Sequence, residues 1–363
     1  MKQHPIPGIL LHGTWFDAAE WQSGQVAPLL QQLAVPLPVQ VFLQTWFGSE
    51  HPISAQTSGS TGPQKRVVLS RDQMIASAQL TALHFGFKPG QKVLLPLSAD
   101  FIAGKMMLVR AMVSGLDIYT AMPSQRPDLL FPAVAFQFTP LVPAQLFAML
   151  QADVSTAALG TLLLGGSDLS PDLAALLPQL GQQALWQGFG MTETVSHMAL
   201  RQLHPLKSEF YQPLPGLLVQ TNEAQCLRVW GSVTNYHWLQ SNDVIALQST
   251  GSFSWLGRAD NVIISGGHKL HPEQIESRLL QLAEQLPDLT FLKQQPFYIG
   301  QQPDPQFGAV AVLVVEGNAS PEIPALEQLQ TSLKPHFQSF ERIRHLRFEP
   351  QFARTSNGKL LRN

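Results

Sequence analysis

The sequence predicts an α/β protein: a large N-terminal domain with mainly parallel sheets and a small β subdomain, followed by a small α+β domain. Three observations carry this reading. Helical periodicities alternate with short apolar strands up to about residue 195. Strands and turn residues without a strong helix fill Leu217 to Leu256, and a helix and strand of different composition begin near Asp260.

The elements follow in order. Ser70 and Gln73 have the form of a capping box, behind which Met74, Ala78, Ala82 and Phe85 continue one helical face. Lys92 to Leu97 reads as a short apolar strand. A helix then runs through Met106, Met107, Val109, Arg110 and Val113, Gly115 ends it, and Leu116 to Ala121 is the next strand. The alternation continues with strand Ala133 to Phe138, helix Pro143 to Gln151, strand Thr161 to Leu164, helix Ser170 to Leu177 and strand Ala184 to Phe189. Parallel neighbours need a crossover, so helix–strand repetition of this kind indicates a largely parallel sheet. Beyond the β-rich stretch, Pro272 opens a helix carrying Ile275, Leu279, Leu282 and Leu286, and Ala309 to Val315 is a buried strand. The expected domains are 1–259, with a shortened N-terminal part, and 260–363, with a hinge near Asp260.

Of 363 residues, 45% are hydrophobic and 13% charged, which supports a substantial core and excludes wholesale disorder. A net charge of -2, with both signs interspersed, leaves no electrostatic footprint for nucleic acid or an anionic membrane. The single cysteine, Cys226, excludes an intramolecular disulfide framework and a cysteine-cluster zinc site. The first residues do not read as a signal peptide, and no apolar run is long enough to span a bilayer. A cytoplasmic protein is therefore expected. Oligomeric state is not legible.

Thr57-Ser58-Gly59-Ser60-Thr61-Gly62-Pro63-Gln64-Lys65 packs two glycines, four hydroxyl residues and a lysine into nine positions. Glycines let backbone N–H groups close around an anion, hydroxyls add donors and lysine adds charge. Taken alone, the run fits a flexible serine/glycine loop equally well. Gln64 stands where a Walker A loop needs glycine, which disfavours an ordinary P-loop NTPase. Further along come Gly188-Phe189-Gly190-Met191-Thr192-Glu193-Thr194, then Asp243 fifteen positions before Arg258, the run Gly257 to Glu276, and Arg354-Thr355-Ser356-Asn357-Gly358-Lys359. A hydroxyl beside a carboxylate suits a phosphate and its magnesium, since hard cations take oxygen ligands. Singly, each of these has a bland reading: a helix N-terminus, solvated charges, a basic tail. His268 and His271, three apart beside Pro272, read as structural rather than as a metal pair.

Together and in this order the five runs resemble the acyl-adenylate-forming superfamily of acyl-CoA ligases, luciferases and peptide-synthetase adenylation domains. The resemblance implies ATP-dependent activation of a carboxylate to an acyl-adenylate, with magnesium, and then transfer to coenzyme A. It assigns the β- and γ-phosphates to Thr57, Ser58, Gly59, Ser60, Thr61, Gly62 and Lys65. Thr192, Glu193, Gly190 and Met191 fall to the α-phosphate side, with Glu193 on the metal, and Asp243 and Arg258 to the ribose. Lys359 becomes the adenylation lysine. Asp260 becomes the hinge on which a mobile small domain swings, and Gly266 and Gly267 line the thiol channel. Three departures stand out: Pro63 lies one place early, Ser241-Asn242-Asp243 replaces Thr-Gly-Asp, and Phe101 replaces a histidine.

Within the superfamily the similarity is greatest to short o-succinylbenzoate–CoA ligases of menaquinone synthesis. It extends over Phe42 to Phe47, Phe101 to Arg110 and Met191 to His197, with only 56 residues before the loop. This implies o-succinylbenzoate as the acid, with Gly104, Lys105, Gly165, Gly166, Ser167 and His197 near it. Lys105, on an otherwise apolar face, either meets the second carboxylate or snorkels from a helix end. An aryl- or acyl-CoA ligase of other specificity and a non-catalytic nucleotide-binding homologue remain the alternatives.

Overall fold

The computed structural model describes residues 6–48, 52–56, 66–166, 169–320, 323–354 and 360–362. Its centre is a nine-stranded sheet. In spatial order the strands are Gln212–Pro213, His197–His204, Leu185–Gly190, Thr161–Leu164, Phe138–Leu141, Lys92–Leu95, Asp117–Thr120, Gly8–Leu11 and Thr14–Asp17. The six from Leu185–Gly190 to Gly8–Leu11 run parallel, and the flanking strands are antiparallel. The N-terminal residues thus supply one edge of the sheet, through a hairpin and the helices Ala18–Ser23, Ala27–Gln32 and Leu37–Gly48.

Local chemistry places most elements where the sequence puts them. Ser70 caps the helix Arg71–Phe85 by accepting from Gln73 N, while Gln73 returns a bond to Ser70 N. Gly86 and Gly115 end their helices in the left-handed conformation. One strand is displaced: Ala133 to Gln137 is not strand, and pairing begins only at Phe138, running to Leu141. The preceding stretch is held instead by Phe136 N donating to Ala158 O and Gln137 N donating to Lys92 O. The expected helix at Pro272 stops at Leu282, and Leu286 opens a separate short turn, Pro287–Lys293.

Two smaller sheets complete the architecture. Leu218–Thr221, Cys226–Trp230, Leu239–Leu247 and Phe253–Arg258 form a four-stranded antiparallel sheet. From Ile263 onward a five-stranded sheet forms from His268–Leu270, Ile263–Ser265, Gly308–Glu316, Phe297–Asp304 and Ile343–Glu349. The helices Pro272–Leu282 and Leu326–Leu333 cover it, burying Ile275, Leu279, Leu329 and Leu333 in a core of their own. Among the described residues no helix is long and apolar enough to cross a membrane.

Candidate active site

In an open parallel sheet, ligands collect at the carboxyl ends of the strands, where the connecting turns converge. Thr161–Leu164 and Leu185–Gly190 are neighbours there, and they deliver Gly165-Gly166 and Met191-Thr192-Glu193 to the same edge. The chain turns sharply after Gly190, because a Cβ at that position would lie 2.0 Å from Ser196 O. Buried Thr194 closes the turn, its Oγ1 accepting from Met191 N at 3.0 Å and donating to Ser196 O at 2.9 Å. Thr192 and Glu193 are left half-buried at the rim.

The strands Ile53–Gln56 and Arg66–Leu69 pair antiparallel on either side of residues 57–65, with Gln56 opposite Arg66. The second strand packs on the turn Thr192–Thr194. The loop residues themselves, Thr57 to Lys65, lie outside the described residues, as do Ser167 and Lys359. Lys105 is already engaged: its Nζ donates to Ser54 O in this hairpin at 3.1 Å. Burial pulls its amine down, opposed by Asp100. Gly104 seats its helix on the loop before it, since a Cβ there would sit 2.3 Å from Ser98 O.

Behind the rim lies a residue that sequence reasoning did not single out. Arg110 is only 2% exposed. Its Nε donates to Thr81 Oγ1 at 3.2 Å, and its Nη2 donates to Ser196 Oγ at 2.8 Å and lies 3.4 Å from His197 Nδ1. All these partners are neutral, and among the described residues no carboxylate pairs with it. Burial alone pushes the guanidinium down to about 9. His197 is buried beside it, 3.0 Å from Thr81 Oγ1. Desolvation first, and then the Arg110 charge, hold its imidazole well below the usual range, so it stays neutral. The available signal was an arginine inside the buried run Met106 to Met112, since charged groups are almost never fully buried without a partner.

Asp243 and Arg258 face one another in register across adjacent strands, with Arg258 Nη1 3.9 Å from Asp243 Oδ1. Trp255 Nε1 donates to the same carboxylate oxygen at 3.1 Å. Ser241 Oγ accepts from Asp243 N at 3.0 Å, so the serine of this unusual triplet orients the acid's backbone. Burial raises the Asp243 carboxyl, and the Trp255 bond and Arg258 counter it. Arg258 Nη2 reaches on to Asp260 at 2.9 Å, and Asn242 Nδ2 donates to both Asp260 oxygens at 3.1 and 3.2 Å. Gly266 and Gly267 form the two-residue turn between Ile263–Ser265 and His268–Leu270, at φ 55° and 81°. Two successive positive φ values are what such a hairpin requires, and glycine supplies them freely.

His268 stacks on Phe340 at 4.0 Å, in keeping with a structural role. Among the described residues no three His, Cys, Asp or Glu side chains gather to hold a metal. A lone carboxylate at Glu193 fits magnesium, which takes one or two protein oxygens and completes its shell with phosphate oxygens and water.

Comparison with known proteins bears on this geometry. Residues 53–228 match the family described as AMP-binding enzyme. An acyl-CoA synthetase (AMP-forming)/AMP-acid ligase II-like protein of Dyadobacter fermentans is 35% identical, with a TM-score of 0.59 over 89% of this chain and 91% of that one. The 2-succinylbenzoate–CoA ligase of Staphylococcus epidermidis is 28% identical over 253 residues, covering 61% of this chain and 52% of that protein. The o-succinylbenzoate CoA synthetase of Bacillus subtilis, solved with its acyl-adenylate intermediate, has a TM-score of 0.71 at 22% identity, over 85% of this chain and 68% of that one. The chain spans about half the length of the curated relatives it matches.

Proposed function

From the premise that the chain belongs to the AMP-binding enzyme family, we propose that it is an AMP-forming acid–thiol ligase, and that its acid is o-succinylbenzoate. ATP would lie along the carboxyl edge of the main sheet. The loop 57–65 would hold its outer phosphates, Thr192 would donate to the α-phosphate, and Asp243 and Arg258 would take the ribose. Magnesium on Glu193 would offset phosphate charge. Carboxylate and phosphate repel one another, so the first step needs a cation between them, and Lys359 is assigned that part. Coenzyme A then displaces AMP. In this reading the part from Asp260 onward is the small domain that moves between the steps, and the protein works in the cytoplasm.

Arg110 is the single observation that carries the choice of acid. A buried cation without an internal anion is costly to the fold and is explained by an anion from outside. O-succinylbenzoate brings a second carboxylate that is not activated, and Arg110 with Ser196 offers it donors. A plain benzoate or fatty acid would leave Arg110 unpaired. Lys105, committed to Ser54 O, is the weaker candidate for this carboxylate. Pyrophosphate release measured across a panel of acids tests the reading: turnover of benzoate or fatty acids equal to that of o-succinylbenzoate overturns it. Replacing Lys359 by alanine should abolish most ATP–pyrophosphate exchange, and unchanged exchange would leave a nucleotide-binding protein without catalysis.

A further inference from the structure

Beside the glycine turn Gly266-Gly267 lies a cavity of about 430 Å³, lined by Lys269, His271, Gln274, Arg278, Phe337 and Glu341 with their neighbours. Its size falls in the range of small-molecule sites, about 300–1,000 Å³. Lys269 stands two residues past Gly267 on the short strand His268–Leu270, within about 7 Å of the turn at strand spacing. Gln274, Arg278 and Gln281 follow at i, i+4 and i+7, so one face of the helix Pro272–Leu282 forms a wall. Phe337 is buried, and the Arg278 guanidinium lies over its ring at 4.6 Å.

The charge of this cavity runs against that of the chain. The protein as a whole carries a net charge of -2, yet the cavity sets Lys269 and Arg278 against the single carboxylate of Glu341. Lys269 is exposed and pairs with no carboxylate among the described residues. Arg278 Nη1 lies 3.6 Å from Glu341 Oε2, with 47% of the arginine side chain exposed. An open pair of this kind is weak, and a phosphate, which takes the arginine fork with two parallel bonds, displaces it readily. Glu341 is itself held back by accepting from Gln338 N at 2.9 Å. His271 Nδ1 has no hydrogen-bond partner among the described residues. Burial lowers its imidazole against the pull of Glu273, and Lys269 lowers it further. A third cation stands by the turn: Arg344 lies over the Phe307 ring at 5.1 Å, and Phe307 O accepts from Gly266 N at 2.8 Å.

We propose that this cavity binds the phosphorylated nucleotide end of coenzyme A, with Lys269 taking the diphosphate and Arg278 the 3′-phosphate. The proposal rests on the reading of the chain as a ligase whose thiol enters past Gly266 and Gly267. Coenzyme A is a thiol on a long neutral arm with every negative charge at the other end. When the thiol passes the turn toward the acyl-adenylate, the phosphates stay outside it, and Lys269 is the cavity cation nearest the turn in the chain. Arg278 stands about 9 Å further on, measured along the helix from Pro272. A terminal phosphate offers the oxygens that a guanidinium fork grips in pairs, whereas a bridging diphosphate suits the point charge of a lysine.

Titration calorimetry on the full chain saturated with AMP tests the assignment. Lys269→Met and Arg278→Met should each weaken coenzyme A binding about tenfold, while ATP affinity, titrated separately, stays within about twofold. With 3′-dephospho-coenzyme A, Arg278→Met should change affinity by less than about twofold, and Lys269→Met should keep its loss of about tenfold. Glu341→Gln removes the competing carboxylate and should tighten coenzyme A about threefold, an effect of opposite sign that a merely damaged fold does not give. The proposal is overturned by unchanged coenzyme A affinity in both methionine variants or by an equal loss of ATP affinity. It is likewise overturned by an Arg278→Met loss that is the same with and without the 3′-phosphate. The unaltered chain distinguishes the two failures. If it binds ATP and takes up no coenzyme A, the ligase reading falls; if it binds coenzyme A and the variants bind it equally well, only the cavity assignment falls.

Discussion

Three arginines in this protein live in opposite circumstances. Arg258 and Arg362 are about a quarter exposed (26% and 23% by side chain), and each is shared by two carboxylates. Arg110 is buried among neutral hydroxyls and a neutral histidine, with no acid beside it among the described residues. A cation already neutralised from within holds parts of the chain together. One buried among neutral groups in a low-dielectric site carries a charge that is costly to the fold, and that cost is what motivates the proposed acid.

The largest expected effect breaks the buried side of that comparison. Arg110→Met should lower kcat/KM for o-succinylbenzoate by about 100-fold, roughly 2.7 kcal/mol of transition-state stabilisation. It should leave thermal stability equal or higher, since an uncompensated charge is removed. A fall in stability with activity intact would mean that Arg110 is structural. Next comes Asp243→Ala, expected to weaken ATP binding by about tenfold, as loss of a charge-assisted pair of hydrogen bonds should, without changing KM for the acid. Titration calorimetry with ATP checks it.

The exposed side gives smaller effects. Glu276 holds its proton to about 7 in the fold, whereas the unfolded chain releases it near the ordinary glutamate value of 4.5. In that interval the unfolded state binds fewer protons, so Glu276 lowers stability as pH rises from about 4.5 to about 7, and its contribution is constant above. Urea unfolding of Glu276→Gln should lack this slope and show a higher midpoint at pH 7.5. A retained slope would place the titration elsewhere, on Glu273 or a histidine. The smallest change is expected from Asn242→Gly, which restores the glycine usual in the superfamily and removes the bonds to Asp260. Exposed contacts of this kind are worth about 1 kcal/mol or less, so the balance between the two half-reactions should shift by no more than about fivefold.

Legibility in the sequence followed the range of the interaction. Capping at Ser70, the left-handed end at Gly115 and the glycine turn at 266–267 depend on neighbours a few residues away, and they are written locally. Ala133 to Gln137 misled for the converse reason. The stretch is apolar enough for a strand, but its backbone is taken by Ala158 O and Lys92 O, partners that only the assembled sheet supplies. Lys105 was ambiguous along the chain, and its place was decided by Ser54, 51 residues away.

By itself, the sequence determined the α/β class and the order of the motifs. Periodicity, capping and glycine placement are short-range physics. The tertiary structure alone decided which charges meet: Asp243 with Arg258 across two strands, Arg362 with Glu276 across 86 residues, and Arg110 with no acid among the described residues. Whether a charge is neutralised depends on burial and on partners brought from far along the chain, and no local pattern carries that information.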